Sequence, residues 1–192
     1  MGFLDSIGSA LDGFMKAIKN VGSEAFDSIK NTCSDLVRAV REGDWAGAIK
    51  ECVQVFADVA SAIEGAFAEV NKVIFDLTGL DKLVEPLLAG LKTIGEACVD
   101  SFKKYPSEWL EVAFSFIGAA VLFALGDVPQ GAGLLISGVT KVVRLFDIIE
   151  VDDPGFSERF PLPPQLRELA EKYQDVPNRT LDAHLMKEVE DL

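Results

Sequence analysis

The carboxylates, the single histidine and the three cysteines of this 192-residue chain are of types that do acid–base or covalent chemistry, but their spacing does not assemble a reaction centre. His184 is the only imidazole, and Asp182, two residues before it, would lie on a different face of a helix. Glu108 and Glu111 have the three-residue spacing of an ordinary solvated helix face. No serine or cysteine carries a local nucleophile signature, and the glycines at 131–133 lack the context of a phosphate-binding loop. We therefore expect a protein that is not an enzyme and holds no cofactor.

The cysteine and charge composition excludes further classes of site. Cys33, Cys52 and Cys98 are odd in number and lie within apolar helical patterns, which is typical of small buried side chains in a reducing compartment. One histidine and three scattered cysteines are too few for a zinc site, so we expect no bound metal. The formal net charge of −13 argues against a nucleic-acid partner, because phosphate binding requires clustered lysine and arginine.

The first residues of the chain lack the features of a secretory signal. Asp5 and Asp12 interrupt the apolar run, and no basic segment precedes it. We therefore expect an intracellular protein, either cytoplasmic or peripherally associated with a membrane. Gly2 and Ser6 satisfy the loose pattern for N-myristoylation, although Phe3 is an unfavourable neighbour for that glycine, and the sequence leaves acylation open.

The elements that would position any functional side chain begin with an eleven-residue repeat that starts at Gly2. One column of the repeat holds Ile7, Ile18, Ile29 and Val40. Eleven residues in three helical turns keep an apolar stripe almost straight along the axis, so the repeat predicts long amphipathic helices near 3–42 and 46–77. A break at 78–81 and the apolar spacing that follows it predict another helix near 81–104. A lipid surface, a right-handed coiled coil and the core of a helical bundle would each accept such a stripe. The stripe that we expect to contact a membrane or partner is Phe3, Leu4, Ile7, Leu11, Phe14, Met15 and Ile18.

The polar face of this first helix mixes charges of both signs, with Asp5, Asp12, Lys16 and Lys19 interleaved. Helices that lie on anionic membranes normally carry an excess of lysine and arginine. We therefore expect a neutral lipid or membrane surface as the partner, and binding that depends on apolar area rather than on charge.

An apolar hairpin follows this amphipathic part. The segment 112–140 contains a single charged residue, and turn-forming residues divide it between two predicted helices, near 109–125 and 132–149. The first helix is shorter than the about 20 apolar residues of a membrane span, and Lys141 and Arg144 interrupt the second. The hairpin is therefore either the buried centre of a bundle or an element that enters a bilayer or a hydrophobic partner surface. The side chains that we expect to face a membrane or partner are Trp109, Phe114, Phe116, Ile117, Leu122, Phe123, Leu134 and Leu135.

The end of the chain is an acidic, proline-rich arm. Residues 150–192 hold 11 acidic and 5 basic side chains and five of the eight prolines. Short helices are predicted near 165–174 and 180–190, with extended backbone around the prolines. The arm is too short for a core of its own, and its regularly spaced apolar residues favour docking across the body over disorder. The side chains expected to dock are Phe156, Phe160, Leu166, Leu169 and Leu185.

These features together predict an all-α fold, because very few stretches alternate with a period of two residues. We expect one domain in which an amphipathic region (1–105) packs with the apolar hairpin (106–149), completed by an extended arm (150–192). The leading functional interpretation is a non-enzymatic membrane- or lipid-associated protein that acts through its amphipathic helices and its hairpin and that self-associates. The alternative is a soluble structural or scaffold subunit of a homo-oligomer or larger assembly.

Overall fold

The computed structural model describes residues 24–68 and 83–191, and within those ranges the regular elements are all α-helices. The predicted all-α fold is therefore confirmed. The helices of these ranges are α1 (Glu24–Glu42), α2 (Trp45–Ala68), α3 (Val84–Ser101), α4 (Pro106–Ala124), α5 (Val128–Asp152), α6 (Phe156–Arg159), α7 (Pro164–Glu171) and α8 (Asn178–Glu190). The predicted N-terminal stripe lies outside the described residues: Phe3, Leu4, Ile7, Leu11, Phe14, Met15 and Ile18.

The break between α1 and α2 falls after residue 42, where the sequence predicts it. Gly43 has a φ of +71°, a left-handed conformation that ends α1 at little steric cost. The side chain of Asp44 then accepts a hydrogen bond of 2.9 Å from the backbone N–H of Gly47, which caps the beginning of α2. By contrast, α4 begins three residues before the predicted Trp109, because Pro106 is favoured in the first turn of a helix.

Helices α1 and α2 form an antiparallel pair, since a two-residue connection joins them. The hydroxyl of Thr32 donates to Asp58 Oδ2 at 2.8 Å and fixes the register of the pair. Helix α3 packs beside α2 with Cys52 and Cys98 at their contact, and all three cysteines are buried thiols. A hydrogen bond with Cys52, together with burial, raises the pKa of Cys98 above its ordinary value.

Helices α4 and α5 form the predicted hairpin, which lies at the centre of the hydrophobic core. Aromatic rings join it to the outer helices: the Phe116 and Phe56 centroids are 5.6 Å apart in an edge-to-face contact, and Trp109 lies 6.2 Å from the same Phe56 ring. The indole N–H of Trp109 donates to Ser101 Oγ at 2.9 Å, so the tryptophan is buried with its polar atom paired.

The C-terminal arm folds back across the hairpin as three short helices, two of which lie near the predicted 165–174 and 180–190. Its first turn is fixed by Glu150, whose carboxylate accepts hydrogen bonds from the backbone N–H groups of Ser157 (2.7 Å) and Gly155 (2.9 Å). These bonds favour the charged carboxylate and lower the pKa of Glu150. The Phe156 ring then packs on Phe146 of α5 with centroids 5.1 Å apart. Helices α7 and α8 both pack against α5.

Close contact of the two hairpin helices depends on Gly138. A Cβ at this position would lie 3.1 Å from the ring of Phe116, so this ring, fully buried against Phe56, would have to shift by a few tenths of an ångström. We expect Gly138→Ala to lower the free energy of unfolding by about 1–2 kcal/mol, although alanine has the higher helix propensity. Urea denaturation of the full chain measures the change.

Gly95→Ala is the matched control, because a Cβ there has its nearest neighbour, Val53 Cγ1, at 3.9 Å. This substitution should raise the free energy of unfolding by up to about 1 kcal/mol through helix propensity alone. Equal effects of the two substitutions would contradict a tight α4–α5 contact at Gly138.

Candidate functional site

The hairpin side chains predicted to face a membrane or partner lie mostly inside the chain's own core. Six of them are buried: Trp109, Phe116, Ile117, Phe123, Leu134 and Leu135. Phe114 and Leu122 are partly buried and pack against the same core. The outward orientation expected for this set therefore does not hold in this conformation, because α2, α5 and the C-terminal arm take up the apolar surface that a bilayer would otherwise contact.

Helix α4 nevertheless has the composition of a membrane span. Within the described ranges it is the one helix long and apolar enough to cross a bilayer by length and composition, with a mean hydropathy of 1.5 over its best window of 18 residues. About two thirds (67%) of that window is buried inside the molecule. The buried core helix of a water-soluble protein has the same composition, so hydropathy alone does not distinguish the two roles.

A cluster of polar side chains crosses this apolar region and joins α8 to the hairpin. We call Ser115 of α4, Ser137 and Lys141 of α5, and Asp182 of α8 the Asp182 cluster. Asp182 Oδ1 accepts hydrogen bonds from Ser115 Oγ at 2.9 Å, from Lys141 Nζ at 3.1 Å and from Ser137 Oγ. Lys141 Nζ also donates to Ser115 Oγ at 2.8 Å. One carboxylate oxygen of the arm therefore binds both helices of the hairpin.

The two charges of the Asp182 cluster differ in their exposure to water. The side chain of Lys141 is only 8% exposed, whereas that of Asp182 is 43% exposed. Solvent screens the carboxylate, but the ammonium group is desolvated and depends on its hydrogen-bond partners.

Glu111 lies within electrostatic range of Lys141. Burial raises the pKa of Glu111 and the charge of Lys141 lowers it, with burial the larger effect. The side chain of Glu111 is half-buried, so the prediction that it lies on a solvated helix face is wrong.

Further polar contacts set the direction of α8 on α5. Gln130 Nε2 donates to Glu190 Oε1 at 2.9 Å, and Arg144 Nη1 donates to Asn178 Oδ1 at 2.6 Å. Arg144 also donates to the backbone carbonyl of Tyr173, just before α8. Residues 130, 141 and 144 of α5 contact residues 190, 182 and 178 of α8 in that order, so the two helices are antiparallel. The contact of Lys141 with Asp182 lies between the other two.

Apolar contact completes the joint between α5 and α8. Leu181, Leu185 and Val189 recur at helical spacing on one face of α8, and all three are buried. Gly133 of α5 lies against the backbone of α8, where a Cβ would come within 3.1 Å of the Leu185 carbonyl oxygen. Small size at position 133 therefore allows the helix backbones to approach closely.

The arm side chains predicted to dock all pack against the core. Phe156, Leu166, Leu169 and Leu185 are buried, and Phe160 is partly buried. Phe160 contacts the Phe156 ring with centroids 5.0 Å apart. The position of Leu166 next to Gly90 of α3 brings the arm against the amphipathic helices as well as against the hairpin.

The chemistry of this arrangement is attachment rather than reaction. A lysine beside a serine can activate a hydroxyl nucleophile, but Ser115 is only 1% exposed and the Lys141 ammonium group is already bonded to Asp182. His184 lies on the exposed face of α8, 3.6 Å from Glu188, and takes no part in the cluster. Among the described residues no group of three or more potential ligands could hold a metal ion.

Sequence reasoning missed the role of the Asp182 cluster. It treated Lys141 and Arg144 as interruptions of an apolar helix and weighed Asp182 only as a neighbour of His184. The available signal was two cations on one side of an otherwise apolar helix, together with a carboxylate in a short amphipathic helix.

Comparison of the chain with protein-family models, curated proteins and solved structures finds no match.

Loss of the Asp182 carboxylate should loosen α8. We expect Asp182→Asn to lower the local stability of α8 by about 2 kcal/mol, because the desolvated ammonium group of Lys141 loses its counter-charge. Hydrogen exchange of the backbone amides in α8 measures the change and should become about thirty-fold faster. Lys187→Ala, at an exposed position of the same helix, should leave exchange unchanged. Equal exchange in the two variants would contradict a stabilising role for the Asp182 cluster.

Proposed function

We propose that this protein is a non-enzymatic, membrane-associated helical protein that stores an apolar hairpin beneath amphipathic helices. It acts by exposing apolar helix faces to a bilayer, and it self-associates through the same faces. The observation that carries the proposal is the state of α4, because a helix with the composition of a membrane span is held inside the fold. Storage of this kind keeps the apolar surface out of water until a lipid surface replaces the protein contacts.

The construction of the arm supports release of the hairpin. Helix α8 has 13 residues and lies at the end of the described chain, where its three buried apolar side chains and a few polar bonds hold it to α5. Peripheral elements of this kind open at a lower free energy than the core on which they lie. Displacement of α8 would expose the face of α5 around Gly133 that Leu185 and Val189 now cover.

The uncharged parts of the two hairpin helices have equal lengths. In α4 this part runs from Val112 to Ala124, after Glu108 and Glu111, and in α5 it runs from Val128 to Thr140, before Lys141. Each is about 20 Å long, shorter than the about 30 Å of a hydrocarbon core. The hairpin is therefore proposed to enter the bilayer from one side, with Lys141 and Arg144 extending their charged ends to the membrane interface.

The charge of the protein supports a neutral membrane as its target. A formal net charge of −13 is repelled by an anionic leaflet, and the N-terminal repeat carries acidic as well as basic side chains on its polar face. Binding would therefore rest on burial of apolar area, with the N-terminal stripe as the element that first contacts the surface.

A soluble scaffold subunit is the second candidate, and the completeness of the packing favours it. Among the described residues no buried side-chain nitrogen or oxygen lacks a hydrogen-bond partner. Paired polar groups remove the desolvation cost of a closed core, which lets these helices pack together without lipid contacts. In this case the apolar surface that remains open is an interface with other subunits rather than with lipid.

Flotation with vesicles tests the membrane proposal. The full chain should float with vesicles of neutral phosphatidylcholine, with a gain in helicity measured by circular dichroism. Phe14→Asp and Ile18→Asp should each abolish flotation, because a charge on the stripe opposes burial in the acyl region. Asn20→Asp is the matched control: it adds the same charge in a polar column of the repeat and should leave flotation intact.

Failure of the chain to float with any lipid mixture would overturn the proposal. Mass measurement without detergent then evaluates the second candidate. A single oligomeric species that forms without detergent would support a scaffold subunit, whereas solubility that depends on detergent would contradict it.

A further inference from the structure

An apolar groove lies between α2 and α3 on the outside of the described helices. Its volume is about 430 Å³, and aliphatic and aromatic side chains make up most of its lining. The lining side chains that matter most are Phe56, Ala57 and Ala60 of α2 and Leu88, Leu91 and Val99 of α3. Val99 is 58% exposed, so a large aliphatic side chain of this surface is left in contact with water.

The shape of the groove suits the apolar face of another helix. The contact of Val53 with Gly95 and that of Cys52 with Cys98 show that α2 and α3 are antiparallel neighbours. Gly95, Ala57 and Ala60 have small side chains or none, which leaves room for side chains that project from a third helix lying along the pair. Helix-in-groove recognition uses this geometry, with anchors at helical spacing in the docked element.

We infer that the groove is the docking site of the chain's own N-terminal segment, residues 2–18. This segment precedes Glu24, the first described residue, and its sequence carries apolar residues at the three- and four-residue spacing of docked helices. The stripe docks in the groove when no lipid is present. This inference does not require the proposed membrane function.

The register of α1 on α2 brings the segment close to the groove. Thr32 bonds to Asp58, so in this antiparallel pair Glu24, eight residues before Thr32, lies near residue 66 of α2. From there to Ala60 is about 9 Å along α2. The 22 residues from Gly2 to Ser23 would extend for about 33 Å as a helix, so a turn near Gly22 allows the segment to lie along the whole groove.

The charges at the edge of the groove suit a segment that carries both signs. Lys92 and Glu96, one helical turn apart on α3, lie at the edge of the apolar lining and are exposed. The polar face of the N-terminal segment interleaves Asp12 with Lys16 and Lys19. A strongly basic or strongly acidic helix would meet repulsion from one of the two edge charges, whereas this segment offers a counter-charge to each.

Docking and lipid binding use the same apolar stripe and therefore exclude each other. If both hold, the groove competes with the bilayer for the stripe and lowers its apparent affinity for lipid. The N-terminal segment is then shielded in solution, and a lipid surface has to displace it from α2 and α3.

Hydrogen exchange of the full chain without vesicles tests the docking. Backbone amides of residues 3–18 should exchange at least about tenfold more slowly than the intrinsic rate for an unstructured chain. Ala57→Glu and Val99→Glu place a charge in the groove from opposite helices, at exposed positions where folding tolerates it, and each should abolish this protection. Ser61→Glu adds the same charge at an exposed position of α2 outside the groove lining and should leave protection intact.

Each other outcome overturns the inference in a distinct way. Exchange of residues 3–18 at the intrinsic rate would mean that the segment does not dock. Protection that persists in both groove variants would place the segment elsewhere. Protection that rises with protein concentration, together with a dimer mass, would assign the groove to a second copy. A chain that floats with vesicles without protection of 3–18 contradicts the docking alone, and protection without flotation contradicts the membrane function alone.

Discussion

The fold depends on withdrawing the apolar surface of the α4–α5 hairpin from water. Each large aliphatic or aromatic side chain buried there contributes about 1.5–3 kcal/mol, and every position of α4 from Val112 to Phe123 is buried or half-buried. A single helix or sheet face cannot cover such a hairpin on all sides. Helix α2 therefore packs on one side of α4 through Phe56, and the C-terminal arm packs on α5 through Phe156 and Leu185.

Hydrophobic burial does not specify how the covering helices are oriented, because it is non-directional. Hydrogen bonds and ion pairs supply that information. Gln130, Lys141 and Arg144 of α5 bind successive points on and just before α8, and Thr32 binds Asp58 between α1 and α2. A buried ammonium group is costly unless it is paired, so positions of the arm that leave Lys141 without Asp182 beside it are unfavourable. The joint is specific, yet it is formed by one short terminal helix.

The chain thus holds two apolar surfaces in different states. The hairpin is enclosed, whereas the groove between α2 and α3 is open and ends at the exposed Val99. The net charge of −13 keeps the outside of the molecule polar and opposes approach to anionic surfaces. Any membrane contact therefore requires exchange of protein–protein apolar contacts for lipid contacts, and the proposed release of α8 and of the N-terminal segment are two steps of that exchange.

The sequence by itself determined the helices, the breaks between them and the apolar character of the hairpin, because these depend on local interactions. Helical periodicity acts within a few residues, and so Gly43 and the turn at Gly126 mark boundaries that can be recognised without a structure. The same local signals indicated that the arm is amphipathic and that the cysteines are buried. Only the tertiary structure decided which way the apolar side chains of α4 face and which carboxylate neutralises Lys141. Lys141 and Asp182 are 41 residues apart, and an apolar stripe fits a core, a partner or a lipid equally well. Their contacts arise from the packing of whole helices, because that packing alone determines which groups are removed from water together.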